Sequence, residues 1–310
     1  MPNPVHLILA AVAVLAGWTG GAAAADRDGA GSFQSAGLTL HYSVNGKGSP
    51  VLLLSGGPGF DPGYMRPIGE MLAKDHTVIL LDQRGTGRSI PAHADESTLN
   101  QGLLVADIEA LRRQLGFPRL NLVGHSFGTF TAMRYAIAHA DHVSSLVLLS
   151  TMAPRSADDT AMQNIGQRLG PESLEKLGQI NAAWPKAAGA ERDGLMMEMS
   201  KLVLPAYVHD PAKAAVVLAG MPAGSIHGDT TEYLNRAAND YDIRDGLAKL
   251  TVPVLIVQGR FDPLDVGMAE KTRDAIPAAK LVILEHSGHF GWIEDPAALS
   301  AALVPFLQNR

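Results

Sequence analysis

Three side chains far apart in this sequence could together break an acyl bond. Ser126 sits in Gly124-His125-Ser126-Phe127-Gly128, Asp262 in Gly259-Arg260-Phe261-Asp262, and His289 in Gly288-His289. A serine hydroxyl is a poor nucleophile at neutral pH. A histidine can take its proton, and a carboxylate can fix that histidine's tautomer and stabilise the imidazolium it becomes. Backbone N–H groups must then meet the negative oxygen of the tetrahedral intermediate. The glycines flanking Ser126 are themselves a signal. They permit a strand-to-helix turn too tight for side chains, which lifts the hydroxyl and aims the first N–H groups of the following helix at the same spot. Taken alone, the same five residues could be a glycine-rich helix start with Ser126 as its N-cap. The elements around them decide between the two.

Each candidate lies just past an apolar run with strand character. Ser126 follows Leu120-Asn121-Leu122-Val123, Asp262 follows Val254–Val257, and His289 follows Leu281–Leu284. In doubly wound sheets, ligands and reacting groups gather at the carboxyl ends of strands. The chain order Ser, Asp, His fits that arrangement. The oxyanion donors expected are the N–H of Phe127 and the N–H of Gly57, in the loop Ser55-Gly56-Gly57-Pro58-Gly59 after the buried run Val51–Leu54. Asp265 and His286 are the rivals to Asp262 and His289. Asp262 is preferred because it lies nearer its strand end, and His289 because it follows a glycine and sits later in its loop. A metal pair of His286 and His289 lacks a third ligand nearby in sequence. The chemistry calls for no metal and no cofactor. His125 is expected to pack beside the turn, and Asp82 and Arg84 to brace the loop beneath it.

The elements that must hold these groups alternate. Strand-like runs at 38–44, 51–54, 77–81, 120–123 and 143–149 are interleaved with helix-like runs at 64–74, 103–115 and 129–139. Continuous apolar strands alternating with helices imply a mainly parallel sheet covered on both faces. The pattern stops after Thr151 and resumes near Val252. Residues 153–243 carry helix formers and prolines but no buried-strand run, and read as a helical cap over the sheet. Their methionines Met196, Met197 and Met199 would suit an adaptable apolar lining, or would simply fill the cap's own core. The organisation expected is therefore a core of residues 26–152 and 244–310 interrupted by a cap at 153–243.

Composition narrows the partners. The chain has 310 residues, 46% of them hydrophobic and 18% charged, with a net charge of −6 and no basic cluster. Nucleic acid is not an expected partner, because phosphate binding needs concentrated Lys and Arg. There is no cysteine, which excludes disulfides, thiolate metal sites and a cysteine nucleophile. Residues 1–25 hold an apolar run from Val5 to Leu15 and a small-residue stretch, Ala22 to Ala25, before Asp26. This reads as a secretory signal cleaved near Ala25. It is too short to span a membrane, so no stable membrane anchor is expected, and the location expected is periplasmic or secreted.

Five motifs carry a resemblance. They are Gly56-Gly57-Pro58-Gly59, Asp82-Gln83-Arg84-Gly85-Thr86-Gly87-Arg88-Ser89, Gly124-His125-Ser126-Phe127-Gly128, Gly259-Arg260-Phe261-Asp262 and Gly288-His289. Over residues 38–150 and 244–310 the chain resembles the α/β-hydrolases, and among them it is similar to the proline iminopeptidase-like serine peptidases. The resemblance implies an α/β-hydrolase fold, a mainly parallel doubly wound sheet with a helical cap insertion, and a triad of Ser126, Asp262 and His289. Serine at 126 departs from the epoxide hydrolases and dehalogenases of this fold, which carry aspartate there. Position 55 is Ser where the iminopeptidases usually have His, and His125 stands where many have Trp. Their cap acids hold a substrate's free amine, and the one candidate for that role here is Glu232. The activity implied is hydrolysis of a small ester or amide through an acyl-enzyme, with release of N-terminal residues from a short peptide as one version. The alternatives are a carboxylesterase that needs no free amine and, more distantly, a non-catalytic binding protein on the same fold.

Overall fold

A computed structural model describes residues 29–308 and residue 310; the leader expected at 1–25 lies outside the described residues. Eight strands form one sheet: β1 (Gly29–Ser35), β2 (Leu38–Asn45), β3 (Ser49–Leu54), β4 (His76–Asp82), β5 (Leu120–His125), β6 (Val143–Leu149), β7 (Val254–Gly259) and β8 (Ala279–Leu284). Their spatial order is β1-β2-β4-β3-β5-β6-β7-β8. β2 runs antiparallel to β1 and β4, and every pairing from β4 through β3 to β8 is parallel.

The helices follow from the sequence between strands. They are α1 (Arg66–Leu72), α2 (Gln101–Leu115), α3 (Phe127–Ala138), α4 (Ala161–Arg168), α5 (Pro171–Ala183), α6 (Ala190–Tyr207), α7 (Lys213–Ala219), α8 (Gly228–Ala237), α9 (Arg244–Leu247), α10 (Val266–Ala275), α11 (Gly291–Glu294) and α12 (Pro296–Leu307). α2 shows the local logic. Asn100 caps its first turn by accepting from the Leu103 N–H, and Gly116 ends it at φ +69°, a left-handed position that glycine takes without a Cβ penalty. Between β6 and β7 lie α4 to α9 and, among the described residues, no strand of the sheet.

The central strands are apolar at nearly every position because both faces are covered. Successive side chains go to opposite sides. Leu52, Leu54, Leu122, Leu146, Leu148 and Ile256 join the core under α2 and α3. Val51, Leu53, Val123, Val147, Leu149, Leu255 and Val257 join the core against α1 and α12. The parallel registers bring the strand ends level, with Leu54 opposite Gly124, His125 opposite Leu149, and Gly259 opposite Leu284. The loops carrying Gly57, Ser126, Asp262 and His289 therefore leave the sheet along one edge. β1 has no counterpart in the sequence reading. It is an edge strand with one buried apolar residue, Phe33, so it lacks the apolar run by which the inner strands were found. Among the described residues no helix is long and apolar enough to cross a membrane.

Candidate active site

Ser126 joins β5 to α3 at φ +54°, ψ −124°, a conformation that costs a non-glycine residue roughly 1–3 kcal/mol. The turn can close only with glycine on both sides. A Cβ at Gly124 would lie 2.6 Å from the Gly128 carbonyl oxygen, and a Cβ at Gly128 would lie within bonding range of the Leu54 carbonyl oxygen. The Ser126 N–H is tied to Leu149 of β6 at 3.0 Å. The side chain of Ser126 does not cap α3, so the N-cap reading fails and the hydroxyl is left facing a cavity.

Asp262 and His289 meet beneath that cavity. His289 Nδ1 lies 2.9 and 3.0 Å from the two Asp262 oxygens. Asp262 is fully buried and His289 nearly so. The remaining lone pairs of Asp262 accept from the Leu264 N–H at 2.9 Å and Gln258 Nε2 at 2.8 Å. Three groups can thus donate to this carboxylate, and such hydrogen bonds offset the cost of burying a polar group. Ser126 and His289 line the same cavity wall; among the described residues, none is hydrogen-bonded to the Ser126 hydroxyl. The rivals have other work. Asp265 caps α10 through the Met268 N–H and accepts from Thr160 and Asn164, and His286 is exposed.

Gly57 forms part of the cavity wall at φ +112°. Phe127 is the first residue of α3, so its N–H has no acceptor within the helix. The loop bearing Gly57 is laced from below and above. Ser55 Oγ donates to the Phe60 carbonyl at 2.7 Å, and Gln83 Nε2 donates to Ser55 O and Oγ. From the cap, Thr231 Oγ1 donates to the Pro58 carbonyl at 2.6 Å. The serine at 55 thus closes this loop on itself. Asp82 accepts from Arg88. Arg84 reaches under the sheet edge to form a two-pronged pair with Asp107 of α2, at 2.8 and 2.7 Å, and also donates to the Ser35 carbonyl. Both members are about as inaccessible as core leucines. Asp107→Ala is expected to cost about 3–5 kcal/mol, because it strands a buried guanidinium. A fall in the urea midpoint at unchanged m checks this, and a midpoint within experimental error of the parent counts against it.

The cavity of about 180 Å³ over Ser126 has an apolar wall. Met162, Met196, Met199 and Met221 contribute to it, with Val203 and Leu204 of α6. Its polar groups are the Ser200, Thr231, Asn235 and tyrosine side chains besides Ser126, His125 and His289; among the described residues, no carboxylate lines it. Of the methionines Met196, Met197 and Met199, Met196 and Met199 line the cavity, while Met197 is partly buried against the core and does not line it. Glu232 does not reach the cavity. Its carboxylate accepts from Trp184 Nε1 at 2.5 Å and pairs with Arg236 at 2.5 Å. Burial pulls its pKa up, but these two donors hold it below the ordinary carboxylate value. The reason is helical phase: Thr231, one residue earlier on α8, is the side chain that faces inward.

Two further wall residues, Tyr64 and Tyr207, carry no functional signal in the sequence. Both phenols are pushed above their ordinary pKa by burial, Tyr207 further by the nearby charges of Asp262 and Asp159. Tyr207 stacks edge-on against His289, and its carbonyl accepts the His289 N–H at 2.7 Å. Elsewhere, Glu109, His139 and His142 bring possible metal-ligand atoms within 4.8 Å of one another. The Glu109 carboxylate is already taken by Arg112, Arg113 and Tyr135, and two guanidinium charges occupy the ground a cation would need.

A strained serine at a strand-to-helix turn, a buried Asp–His pair one loop away and a helical cap above them define an α/β-hydrolase. The sequence matches the alpha/beta hydrolase fold family over residues 49–296, and the chain belongs to that family. It is similar to a proline iminopeptidase of Lactobacillus helveticus, 26% identical over 286 residues that span 88% of this chain and 96% of the relative. Among solved structures it resembles an esterase from Exiguobacterium antarcticum, with TM-score 0.70 and 24% identity over 89% of this chain and 98% of that one. A proline iminopeptidase from Mycobacterium smegmatis matches with TM-score 0.70 and 21% identity, over 91% and 98%.

Proposed function

We propose that this chain is a serine ester hydrolase for substrates with an apolar body, acting through an acyl-enzyme on Ser126 and requiring no free amine. The observation that carries the choice is the cavity wall: it is mostly methionine, aliphatic and aromatic, with a few neutral polar groups, and among the described residues no carboxylate lines it to receive an ammonium group. A free α-amine bound there would lose its hydration without gaining a counter-charge, a cost of several kcal/mol.

In this reading His289 Nε2 takes the Ser126 proton as Oγ attacks the acyl carbon. The Gly57 and Phe127 N–H groups receive the oxyanion. Asp262 holds the proton on His289 Nδ1 and stabilises the imidazolium. His289 then passes its proton to the departing alcohol. Water attacks the acyl-enzyme with His289 again as base, and Ser126 regains its proton as the acid leaves. The hydroxyl–imidazole hydrogen bond forms in the substrate complex, as such bonds commonly tighten only there. Secretion or a periplasmic location, proposed from residues 1–25, goes with this reading and can be checked by sequencing the N-terminus of the mature protein.

The likeness to proline iminopeptidases favours a second reading, removal of an N-terminal residue. Free and N-acetylated aminoacyl-naphthylamides, assayed beside p-nitrophenyl butyrate, separate the two. The ester is expected to turn over, and the free amine to give no advantage over the blocked one. A preference of about 100-fold or more in kcat/KM for the free amine, the size of a buried charge pair, would reverse the choice.

A further inference from the structure

His125 and Tyr64 are buried polar side chains that the steps above leave unused. Gly56 N–H donates to the Tyr64 hydroxyl at 2.7 Å, and Tyr64 lies 2.8 Å from His125 Nδ1. His125 Nε2 lies 3.1 Å from the His289 carbonyl oxygen. The donors fix the protons. Gly56 can only donate, so the phenol oxygen accepts from it and its O–H donates to Nδ1. The proton of His125 then sits on Nε2 and goes to the His289 carbonyl. The same carbonyl accepts from Ser150 Oγ at 2.9 Å. Burial first, and the adjacent His289 ring second, hold His125 well below its ordinary pKa, so the neutral ring this wiring needs is the stable one.

We infer that Tyr64 and His125 are positioning residues that hold the donor loop at Gly56 and Gly57 in register with the main chain of His289. The inference rests on the acyl-transfer reading of Ser126. Simple packing would be served by phenylalanine at 64 and leucine at 125, with no hydrogen bonds. Here the three bonds join the two loops that must agree on one geometry, and His125 is also the residue before the nucleophile. There is little slack. A Cβ at Gly56 would lie 2.7 Å from the Ser126 Cβ, so any drift of that loop is felt at the hydroxyl. Oxyanion donors work only within about 0.5 Å of their productive position.

Tyr64→Phe keeps the ring and removes the hydroxyl. Removing a whole oxyanion donor costs about 10²–10³ in kcat; loosening its loop is expected to cost roughly 10- to 100-fold in kcat on p-nitrophenyl butyrate, with KM within about twofold. Affinity for an alkyl boronic acid, which forms a tetrahedral adduct on a serine hydroxyl, is expected to fall by the same factor as kcat. A structural role alone would lower the melting temperature and leave that ratio untouched. His125→Gln, whose amide can accept from Tyr64 and donate to His289, is expected to recover most of what His125→Leu loses. Unchanged kcat and boronate affinity in Tyr64→Phe, in an enzyme whose Ser126 reacts with a fluorophosphonate, would overturn the inference and leave the serine reading intact. No fluorophosphonate labelling of the parent protein would remove both.

Discussion

Ser126→Ala is expected to lower kcat on p-nitrophenyl butyrate by about 10⁶-fold, the scale seen when a nucleophile that acts as a unit with its base is deleted. Fluorophosphonate labelling is expected to vanish with it. On the acyl-transfer reading proposed above, the loss is large because the hydroxyl is the group that forms the acyl-enzyme. His289 and Asp262 retain their geometry but have no nucleophile to activate. A residue of about 10³–10⁴-fold over the uncatalysed reaction should persist from the oxyanion donors and binding. The fold should be nearly untouched. Alanine at 126 faces the same backbone strain as serine, and the side chain removed neither caps α3 nor holds a hydrogen bond to another described residue. A variant with an unchanged melting temperature and more than a tenth of the parent's kcat would place the chemistry elsewhere.

Asp262→Asn should cost about 10⁴-fold in kcat at neutral pH. The reason is visible in the donors around the carboxylate. Leu264 N–H, Gln258 Nε2 and His289 Nδ1 all point hydrogens at it. An asparagine presents one oxygen and one NH₂, so at least one donor must face another donor. Gln258 cannot turn to relieve this, because its Oε1 accepts from the Thr151 N–H at 3.0 Å while its Nε2 also donates to the Leu264 carbonyl. If the NH₂ meets His289, the imidazole carries its proton on the nitrogen facing Ser126 and loses its capacity as base. The decisive comparison is with Asp265→Asn. That residue caps α10 and accepts from the cap, so its loss is expected in the melting temperature rather than in kcat. If Asp265→Asn proved the more damaging to kcat, the assignment of the acid would have to be exchanged.

Much of this site was legible in the chain because its requirements are local. The turn at Ser126 needs glycines at 124 and 128, and a peptide bond's reach makes that a sequence-level demand. The strands β3, β5, β6 and β7 announce themselves because a parallel strand covered on both faces has no polar side to show. Asp262 and His289 could be placed because each follows such a strand. Other features of the fold and the site leave no local signal in the sequence. β1 is an edge strand, Gly-Ala-Gly-Ser-Phe-Gln-Ser, held by its pairing with β2 rather than by an apolar run. Tyr64, from the short 3-10 turn before α1, and Tyr207, from the end of α6, reach the site through approaches between distant segments. Glu232 is an acid on the right helix, but a helix turns about 100° per residue, and packing of α8 gives Thr231 the inward position.

The amino-acid sequence by itself determined the class of chemistry and the sheet that supports it. A tight turn admits only certain residues, and a doubly covered strand admits only apolar ones, so both leave their mark in the order of residue types. The tertiary structure decided what lines the cavity. Its cap side is assembled from α4, α5, α6, the loop holding Met221, and α8, and which side of each faces Ser126 is set by the sum of many weak contacts across the cap. No short stretch of chain encodes that sum. The absence of a carboxylate from the wall among the described residues, and the thread from Gly56 through Tyr64 and His125 to His289, are therefore properties of the folded molecule alone.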